Sequence, residues 1–483
     1  MTSLGKKITS GLVWRFGERV LAQGVTFVVS LIVSRILGPS AYGMVALLLV
    51  FINLSEVLLT AGFGNSLIQK KNSDNVDFSS VFYFNVIFSI VLYLIIFFAA
   101  PFVEDFYGKD YVGLTSALRV LAIRIPITAI NNVQQSYVSK NMAFKKFFFA
   151  TIGGSFSSAV VGITMALNGF GVWALVAQYL FNALVNTLVL WFTVKWRPIL
   201  AFSFERLKGL ISYGWKLLCA NLFFSLSNNI RSILIGKFYT SSDLAYYNRG
   251  KQIPDLIADT LNTSILSVMF PALCKIQNDK EQMKALVRRA VKTLSYFLAP
   301  ILFGIALLSE KLVVLVLSDE WIGAVPFIKI FCISGMLQPI MKPCQQVTKA
   351  LGKSGIFLIL EIIKCTITIL FLLITLKFGV IYIALGYICS SIIGMLIDIY
   401  IGGRMINYKF FEQFFDVIKP VFVSTIMYIL LSFIDCIKIS PIFIILLQII
   451  GGIIFYLLAS IFTKDETYLF LIKKIPFLKK KSN

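Results

Sequence analysis

The sequence contains no histidine at any of its 483 positions. A histidine-ligated catalytic metal and a histidine proton relay are therefore both excluded. The seven cysteines are odd in number and show no CxxC spacing, so we expect neither disulfides nor a metal site. Gly352-Lys353-Ser354 has the tail of a phosphate-binding loop, but Val347 stands where its first glycine is required. We therefore expect no cofactor and no energy supply from bound nucleotide.

Charged residues are also scarce, at 14% of the chain, whereas 58% of the residues are hydrophobic. This leaves too little polar surface to cover soluble domains of this size, so the bilayer must be the solvent. Nearly every apolar run reaches the roughly 20 residues that a helix needs to cross about 30 Å of hydrocarbon. The runs lack the alternation of barrel strands. The sequence therefore predicts an all-α integral membrane protein.

Polar breaks divide the chain into about fourteen candidate spans. The spans lie near residues 11–34, 43–68, 79–103, 116–138, 146–168, 170–194, 208–235, 246–273, 286–308, 322–348, 355–376, 379–401, 417–436 and 441–462. No loop between them is long enough to hold a folded domain. The first span does not resemble a cleavable signal, because Arg15, Glu18 and Arg19 interrupt its apolar run.

Two halves of the chain look related. Asn168–Tyr179 (NGFGVWALVAQY) aligns with Leu376–Tyr387 (LKFGVIYIALGY), about 208 residues later. We therefore expect residues 1–200 and 201–405 to form two parallel six-helix bundles around a central cavity. Residues 406–483 would add two helices and a basic cytoplasmic tail. In transporters with parallel repeats, the substrate binds between the repeats, and rocking of the repeats alternates its access.

Lysine and arginine outside the spans concentrate on one side of the predicted topology. The opposite side holds only Arg35, Lys109, Lys237, Lys311, Lys377 and Lys438. Because positive residues stay in the cytoplasm, both termini are predicted to be cytoplasmic. The net charge of +22 is then explained by topology and by attraction to anionic lipids, and no nucleic-acid partner is expected.

Polar residues inside spans predict a water-filled cavity, because exposing them to lipid is costly. Spacings of three and four residues place Arg249, Gln252, Asp255, Asp259 and Asn262 on one face of span eight. Spans one, two, four, seven and ten contribute Arg15, Glu18, Arg19, Glu56, Arg124, Gln135, Lys216, Asn228, Arg231, Lys342 and Gln345. Spans five and six are almost free of charge.

The residue types suggest a substrate with an anionic phosphate and a sugar. Fixed guanidinium groups bind phosphate through paired hydrogen bonds, and amides suit hydroxyl groups. We assign substrate binding to Arg15, Arg19, Arg124, Gln135, Lys216, Asn228, Arg231, Arg249, Lys342 and Gln345. The carboxylates that would balance charge or carry a coupling proton or Na⁺ are Glu18, Glu56, Asp255 and Asp259. No residue is assigned a catalytic role.

Other charged residues in the spans have simpler interpretations. Glu361 and Lys364 are three residues apart and are expected to neutralise each other. Asp398 lies near an inner end and is expected to be solvated. Arg119 lies near an outer end and is expected to be interfacial.

Three segments resemble the polysaccharide transporter family of Wzx-type oligosaccharide flippases, especially the colanic-acid exporter type. They are Arg35–Gly43 (RILGPSAYG), Gly62–Lys71 (GFGNSLIQKK) and Val268–Asp279 (VMFPALCKIQND). The resemblance implies the fold of the multidrug/oligosaccharidyl-lipid/polysaccharide exporters, with spans one, two, seven and eight lining the cavity. It also implies movement of undecaprenyl-pyrophosphate-linked sugar units from the cytoplasmic to the periplasmic leaflet of a bacterial inner membrane. The products would be O-antigen, capsule or exopolysaccharide. The Arg15-x-x-Glu18-Arg19 cluster matches no motif of that type.

Two alternatives stay open at this point. An ion-coupled multidrug exporter of the same fold would favour an acidic cavity, whereas the deep charges here lean basic. A membrane polysaccharide polymerase or glycosyltransferase would usually need a larger outer loop with catalytic carboxylates. We expect a transporter and not an enzyme. Its expected partners are the lipid-linked oligosaccharide, membrane lipids, a polymerase and assembly proteins, and its transport unit is expected to be monomeric.

Overall fold

The structure, a computed structural model, describes residues 3–60, 67, 74–141, 144–437 and 439–474. Every regular element in these residues is a helix, and none is a strand. The predicted all-α class is thereby confirmed. The chain forms two compact units, Met1–Ala245 and Tyr246–Asn483. The predicted bundles 1–200 and 201–405 stay a prediction, because compactness alone does not decide which helices form each bundle.

The first unit is built from helices that overlap the first seven predicted spans. In the described residues they are α1 (Ser3–Thr60), α2 (Asn75–Tyr107), α3 (Leu114–Leu121), α4 (Arg124–Lys140), α5 (Phe144–Leu167), α6 (Val172–Thr193) and α7 (Phe204–Phe238). Asp74 caps α2 by accepting a hydrogen bond from the Asp77 amide. A hydrogen bond from the Arg206 guanidinium holds the pKa of Asp74 below its usual value and ties the start of α7 to that of α2.

α1 is interrupted at Gly38, whose φ of 70° and ψ of 175° are not helical. Glycine adopts a positive φ at little cost, and Pro39 has no backbone N–H to continue the hydrogen-bond ladder. An unbroken helix of 58 residues would be about 87 Å long, far more than a bilayer requires. The break divides α1 into two segments that match the first two predicted spans.

The second unit continues in the same way. It contains most of α8 (Ser241–Lys275), followed by α9 (Lys280–Leu312), α10 (Val325–Gly335), α11 (Gln338–Ala350), α12 (Ser354–Thr375), α13 (Val380–Met405), α14 (Phe410–Ser432), α15 (Pro441–Phe462) and α16 (Glu466–Lys474). The repeated Phe-Gly-Val has the same local role in both units. Gly171 and Gly379 immediately precede α6 and α13, both with positive φ.

Predicted spans four and ten each consist of two helices. α3 ends at Leu121 and α4 begins at Arg124, while α10 and α11 meet at an angle of 44°. Pro126 and Pro339 lie in the first turns of the second helices. Proline fits a first turn because the N–H groups there have no helical partner. The break in span four therefore places Arg124 at a helix start.

Eleven helical segments of the described chain are long and apolar enough to cross a membrane, or twelve if α10 and α11 form one broken span. This count treats α1 across Gly38 as one segment and does not include α7. The predicted number of fourteen therefore stays a prediction. Large apolar side chains point outward, with Phe192 79% and Phe462 82% exposed. Lipid must cover these faces, and the chain is a multi-pass membrane protein.

Close packing of α5 on α6 depends on a small residue. A Cβ atom added to Gly154 would lie 2.9 Å from the backbone oxygen of Asn182 and 3.3 Å from the Cβ atom of Asn186. Glycine allows membrane helices to approach in this way. The contact fixes where the backbone of α6 presents Asn182 and Asn186.

Candidate functional site

An ion pair between Glu56 and Arg124 lies within the first unit. Arg124 Nε is 3.0 Å from Glu56 Oε1, and Nη2 donates a hydrogen bond of 3.4 Å to Oε2. Both side chains are 21% exposed, so the pair is largely buried in the protein but still accessible. This hydrogen bond is longer than those usual for charged pairs and therefore weaker. Another anion can replace Glu56 on Arg124 more easily than it could in a pair with short hydrogen bonds.

A cavity of about 240 Å³ opens beside this pair. Its other lining residues are Leu59, Thr128, Asn131, Asn132, Gln135, Asn182, Ala183 and Asn186. Asn131 Nδ2 donates to Asn186 Oδ1 at 3.0 Å, and Asn132 Nδ2 donates to the Leu59 carbonyl oxygen at 3.0 Å. Asn131 Oδ1 is buried and accepts no hydrogen bond from the described residues. The lining thus consists mainly of uncharged amides around one ion pair.

Helical spacing explains why these residues share one cavity. Arg124, Thr128, Asn131 and Gln135 follow one another at intervals of three or four residues along α4, so they lie on one face. The amides of α6 come from residues 182 and 186, which are one turn apart and are held close by Gly154.

A second buried charge cluster lies within the second unit. Lys364 Nζ is 2.5 Å from Glu361 Oε1 and 3.1 Å from both carboxylate oxygens of Asp398. Gln345 Nε2 donates to Asp398 Oδ2 at 2.9 Å. The predicted pairing of Glu361 with Lys364 is confirmed. The expectation that Asp398 is solvated was wrong: it is 3% exposed, because Lys364 and Gln345 replace water around its carboxylate.

Two residues of the polar face predicted for α8 contact other segments of the second unit, Arg249 the turn before α10 and Asn262 the α10–α11 break. Arg249 is 4% exposed, donates to Gln252 Oε1 at 2.8 Å and places its guanidinium carbon 5.5 Å from the Trp321 ring centre. Further along, Asn262 Nδ2 donates to Gln338 Oε1 at 2.7 Å. These contacts give Arg249 and Asn262 a clear packing role within the second unit.

The remaining predicted site residues lie apart from the two clusters. In the first unit Asn228 is exposed, Arg231 is 4% exposed, and neither lines the cavity beside Glu56. In the second unit Lys342 and Asp255 are partly buried and Asp259 is exposed. Arg119, expected at the interface, donates to the Phe97 carbonyl oxygen at 3.0 Å. The predicted residues whose side chains lie outside the described part of the structure are Arg15, Glu18, Arg19 and Lys216.

Several cavity residues escaped the sequence prediction, which followed charge. Asn182 and Asn186 belong to span six, which was set aside as almost charge-free. A signal was present, because Gln178, Asn182 and Asn186 recur every four residues along an otherwise apolar helix. Amides at helical spacing would have predicted a lining face on α6.

The described residues contain no group of three or more Cys, Asp or Glu side chains that could hold a metal ion. Their chemistry is that of ion pairs and amides. Such an arrangement can bind an anion through a guanidinium and a hydroxylated group through amides.

A family model described as polysaccharide biosynthesis protein matches residues 32–326, more than half of the chain. The chain belongs to that family. This confirms the family relationship predicted from the three sequence motifs, all of which lie entirely within the match: Arg35–Gly43, Gly62–Lys71 and Val268–Asp279.

Relatives with described roles are similar over most of their length. The succinoglycan biosynthesis transport protein ExoT of Rhizobium meliloti (strain 1021) is 24% identical over 70% of this chain and 68% of its own. The lipopolysaccharide biosynthesis protein WzxC of Escherichia coli (strain K12) is 23% identical over 85% of this chain and 84% of its own. The similarity to these proteins of polysaccharide biosynthesis thus extends over more than two thirds of this chain and of each relative.

Two solved structures show the fold. The lipid II flippase MurJ, in an inward closed conformation, is 16% identical, has a TM-score of 0.76 and covers 95% of this chain and 99% of its own. An inward-facing multidrug resistance MATE family transporter of the MOP superfamily is 18% identical, with a TM-score of 0.65 and coverage of 80% and 94%. The chain therefore has the fold that flippases and drug transporters of this superfamily share.

Proposed function

We propose that this protein is a flippase that moves undecaprenyl-pyrophosphate-linked oligosaccharide repeat units from the cytoplasmic to the periplasmic leaflet by alternating access. Family membership supports a role in polysaccharide biosynthesis. ExoT is named as a transport protein and MurJ as a lipid flippase, which supports transport of a lipid-linked substrate in place of an enzymatic step. The product would be O-antigen, capsule or exopolysaccharide.

The observation that carries the proposal is the amide-lined cavity beside Arg124. A guanidinium offers donors in the fork geometry that a phosphate oxygen pair matches. The neighbouring Asn131 presents a buried oxygen that accepts nothing from the described residues, and a sugar hydroxyl could donate to it. We therefore assign the phosphate to Arg124 and sugar hydroxyls to Asn131, Asn132 and Gln135.

Glu56 would then have two roles. It neutralises Arg124 while the site is empty, and a substrate phosphate would take its place on the guanidinium. Released from Arg124, the carboxylate would be available to a coupling proton or Na⁺. This exchange is the step by which we expect substrate binding and ion coupling to influence each other.

Other predicted residues keep their assignments as proposals. Substrate binding is assigned to Arg15, Arg19, Lys216, Asn228, Arg231, Arg249, Lys342 and Gln345, and ion coupling to Glu18, Asp255 and Asp259. We further propose a bacterial inner-membrane location, cytoplasmic termini and a monomeric transport unit. The polymerase and assembly proteins that use the flipped units would be its partners.

The test is replacement of one arginine against a matched control. Arg124→Ala should abolish surface polysaccharide and leave lipid-linked units in the inner leaflet at normal expression. Arg119→Ala removes the same charge from a residue that contacts Phe97 and lies outside the cavity, and it should leave export intact. Unchanged export by Arg124→Ala would remove this residue from the proposal. Single units accumulating on the outer face of a deletion strain would indicate a polymerase instead.

A further inference from the structure

A second cavity, separate from the proposed transport site, lies within the second unit between the start of α9 and α16. Its volume is about 550 Å³. Its charged lining residues are Glu281, Lys284, Arg288, Arg289, Lys292 and Glu466. An adjoining cavity of about 170 Å³ is lined by Phe415 and Lys419 and shares Arg288 and Lys292 with the first. The two form a continuous polar recess, which we call the α9–α16 recess.

Most cations of this recess are already paired. Lys284 Nζ is 2.6 Å from Glu412 Oε2, and Arg288 Nε is 2.7 Å from Asp416 Oδ2. Lys292 contacts both Asp416, at 3.2 Å, and Glu466, at 2.5 Å. These pairs hold α14 and α16 against α9. The charged side chains of the recess are therefore held in place by ion pairs and do not form an unpaired basic surface.

Arg289 differs from its neighbours. No carboxylate oxygen of the described residues lies within 4.0 Å of its guanidinium, which instead stacks on the Phe470 ring with its carbon 3.3 Å from the ring centre. The five N–H donors of a guanidinium lie in its plane, so stacking covers the flat face and leaves the edges uncovered. Arg289 is therefore a positioned cation with donors available to a ligand of the recess.

Aromatic rings indicate what kind of ligand reaches this place. Phe411 and Phe415 of α14 are 70% and 67% exposed, and Phe415 lines the recess itself. Phenylalanine rings exposed beside basic side chains fit the boundary between lipid headgroups and acyl chains, where the rings face the tails and the cations face the headgroups. A ligand with a phosphate and an apolar tail would contact both the cations and the phenylalanine rings, whereas a free anion would contact only the cations.

We propose that the α9–α16 recess binds the phosphate of a lipid headgroup through Arg289, with the lipid tail against Phe411 and Phe415. The recess lies at the end of the second unit where the sequence predicts the cytoplasm, and basic recesses between membrane helices at that depth bind anionic headgroups. The ligand is a phosphate-bearing lipid, either an anionic phospholipid or a polyprenyl pyrophosphate. This site is separate from Arg124 and stands whether or not the chain is a flippase.

The experiment measures lipid binding by the purified full chain in detergent, with fluorescent phosphatidylglycerol as the probe. Arg289→Gln should weaken binding by about five- to tenfold, the effect of one exposed charged hydrogen-bonding group. Lys280→Gln is the control, because it removes an equal charge from the same helix at a position that does not line the recess. It should change binding less than about twofold, the weak effect of an exposed charge.

Competition then separates the two sources. Displacement of the probe by a polyprenyl pyrophosphate supports a site open to substrate-type lipids, and displacement by phosphatidylglycerol alone supports a site for bulk anionic lipid. Arg289→Lys keeps the charge but not the planar fork and should show intermediate binding, which controls for misfolding of the first variant. Equal losses in Lys280→Gln and Arg289→Gln, unchanged binding in Arg289→Gln, or inorganic phosphate competing as well as either lipid would each overturn the proposal.

Discussion

Breaking the ion pair between Glu56 and Arg124 should reveal a measurable coupling between α1 and α4. Glu56→Gln, Arg124→Gln and the double variant form a thermodynamic cycle that isolates the pair energy from the effects of each residue alone. Each single change leaves the other charge in a site that is only 21% exposed. We therefore expect the double variant to be more stable than it would be if the effects of the two single changes simply added.

The magnitude follows from the geometry of the pair. A charged hydrogen bond contributes about 1.5–3 kcal/mol when buried, and the single hydrogen bond here is long at 3.4 Å. Partial exposure lowers the value further, so we expect a coupling of about 1.5 kcal/mol, roughly tenfold in the unfolding equilibrium constant. Each single substitution should cost about 2–3 kcal/mol, because it leaves an unpaired charge.

The assay is denaturant unfolding of the purified protein in detergent micelles, followed by tryptophan fluorescence. The Asp74–Arg206 pair serves as a reference, since its side chains are 52% and 42% exposed. Its coupling should be weaker than that of the Glu56–Arg124 pair, because solvent screens exposed charges. Additive effects of Glu56→Gln and Arg124→Gln, or a coupling no larger than that of the reference pair, would refute the role given to this ion pair.

Three further results are expected. Gly154→Ala should lower the free energy of unfolding by about 1–3 kcal/mol through overpacking, whereas Gly153→Ala, whose Cβ atom would meet only side-chain methyl groups at 3.6 Å and beyond, should be neutral or stabilising. Lys364→Met should destabilise by about 3–5 kcal/mol, and adding Asp398→Asn should restore most of that loss; failure of this rescue would contradict the buried pairing. A hydrogen bond from Lys292 lowers the pKa of Glu466. The ion pair between these residues therefore stabilises α16 at a pH above the ordinary glutamate pKa of about 4.3, and this stabilisation is lost as the pH falls through the lowered pKa. The hydrogen-exchange protection of α16 should fall as the pH drops below that ordinary value in the native protein but show no such step in Glu466→Gln.

The helices could be predicted from sequence because the membrane leaves few choices. Each apolar run of about 20 residues must satisfy its backbone hydrogen bonds internally, so hydropathy alone located every long helix. The division of spans four and ten into two helices each was missed. The signals of this division are Pro126 and Pro339. Proline alone does not decide, because prolines also occur inside unbroken helices, as Pro300 does in α9.

The site was harder to predict, because its contacts join distant positions. Glu56 and Arg124 were each proposed as functional, but 68 residues separate them and nothing local indicates that they pair. Lys364 was matched with Glu361 from spacing alone, whereas its contact with Asp398 depends on how α12 packs on α13. Long-range pairs of this kind are set by tertiary packing, which sequence periodicity does not contain.

The glycine break in α1 also constrains how this chain can change over evolutionary time. One residue and no loop separates the two segments of α1, and the second segment continues as a helix past Glu56. Any residue inserted between Pro39 and Glu56 therefore rotates the part of α1 that follows it about the helix axis. A single added residue turns the downstream helix by about 100°. The carboxylate would then face away from the arginine of α4, so length variation in this stretch should be selected against even where residue identity is free to drift.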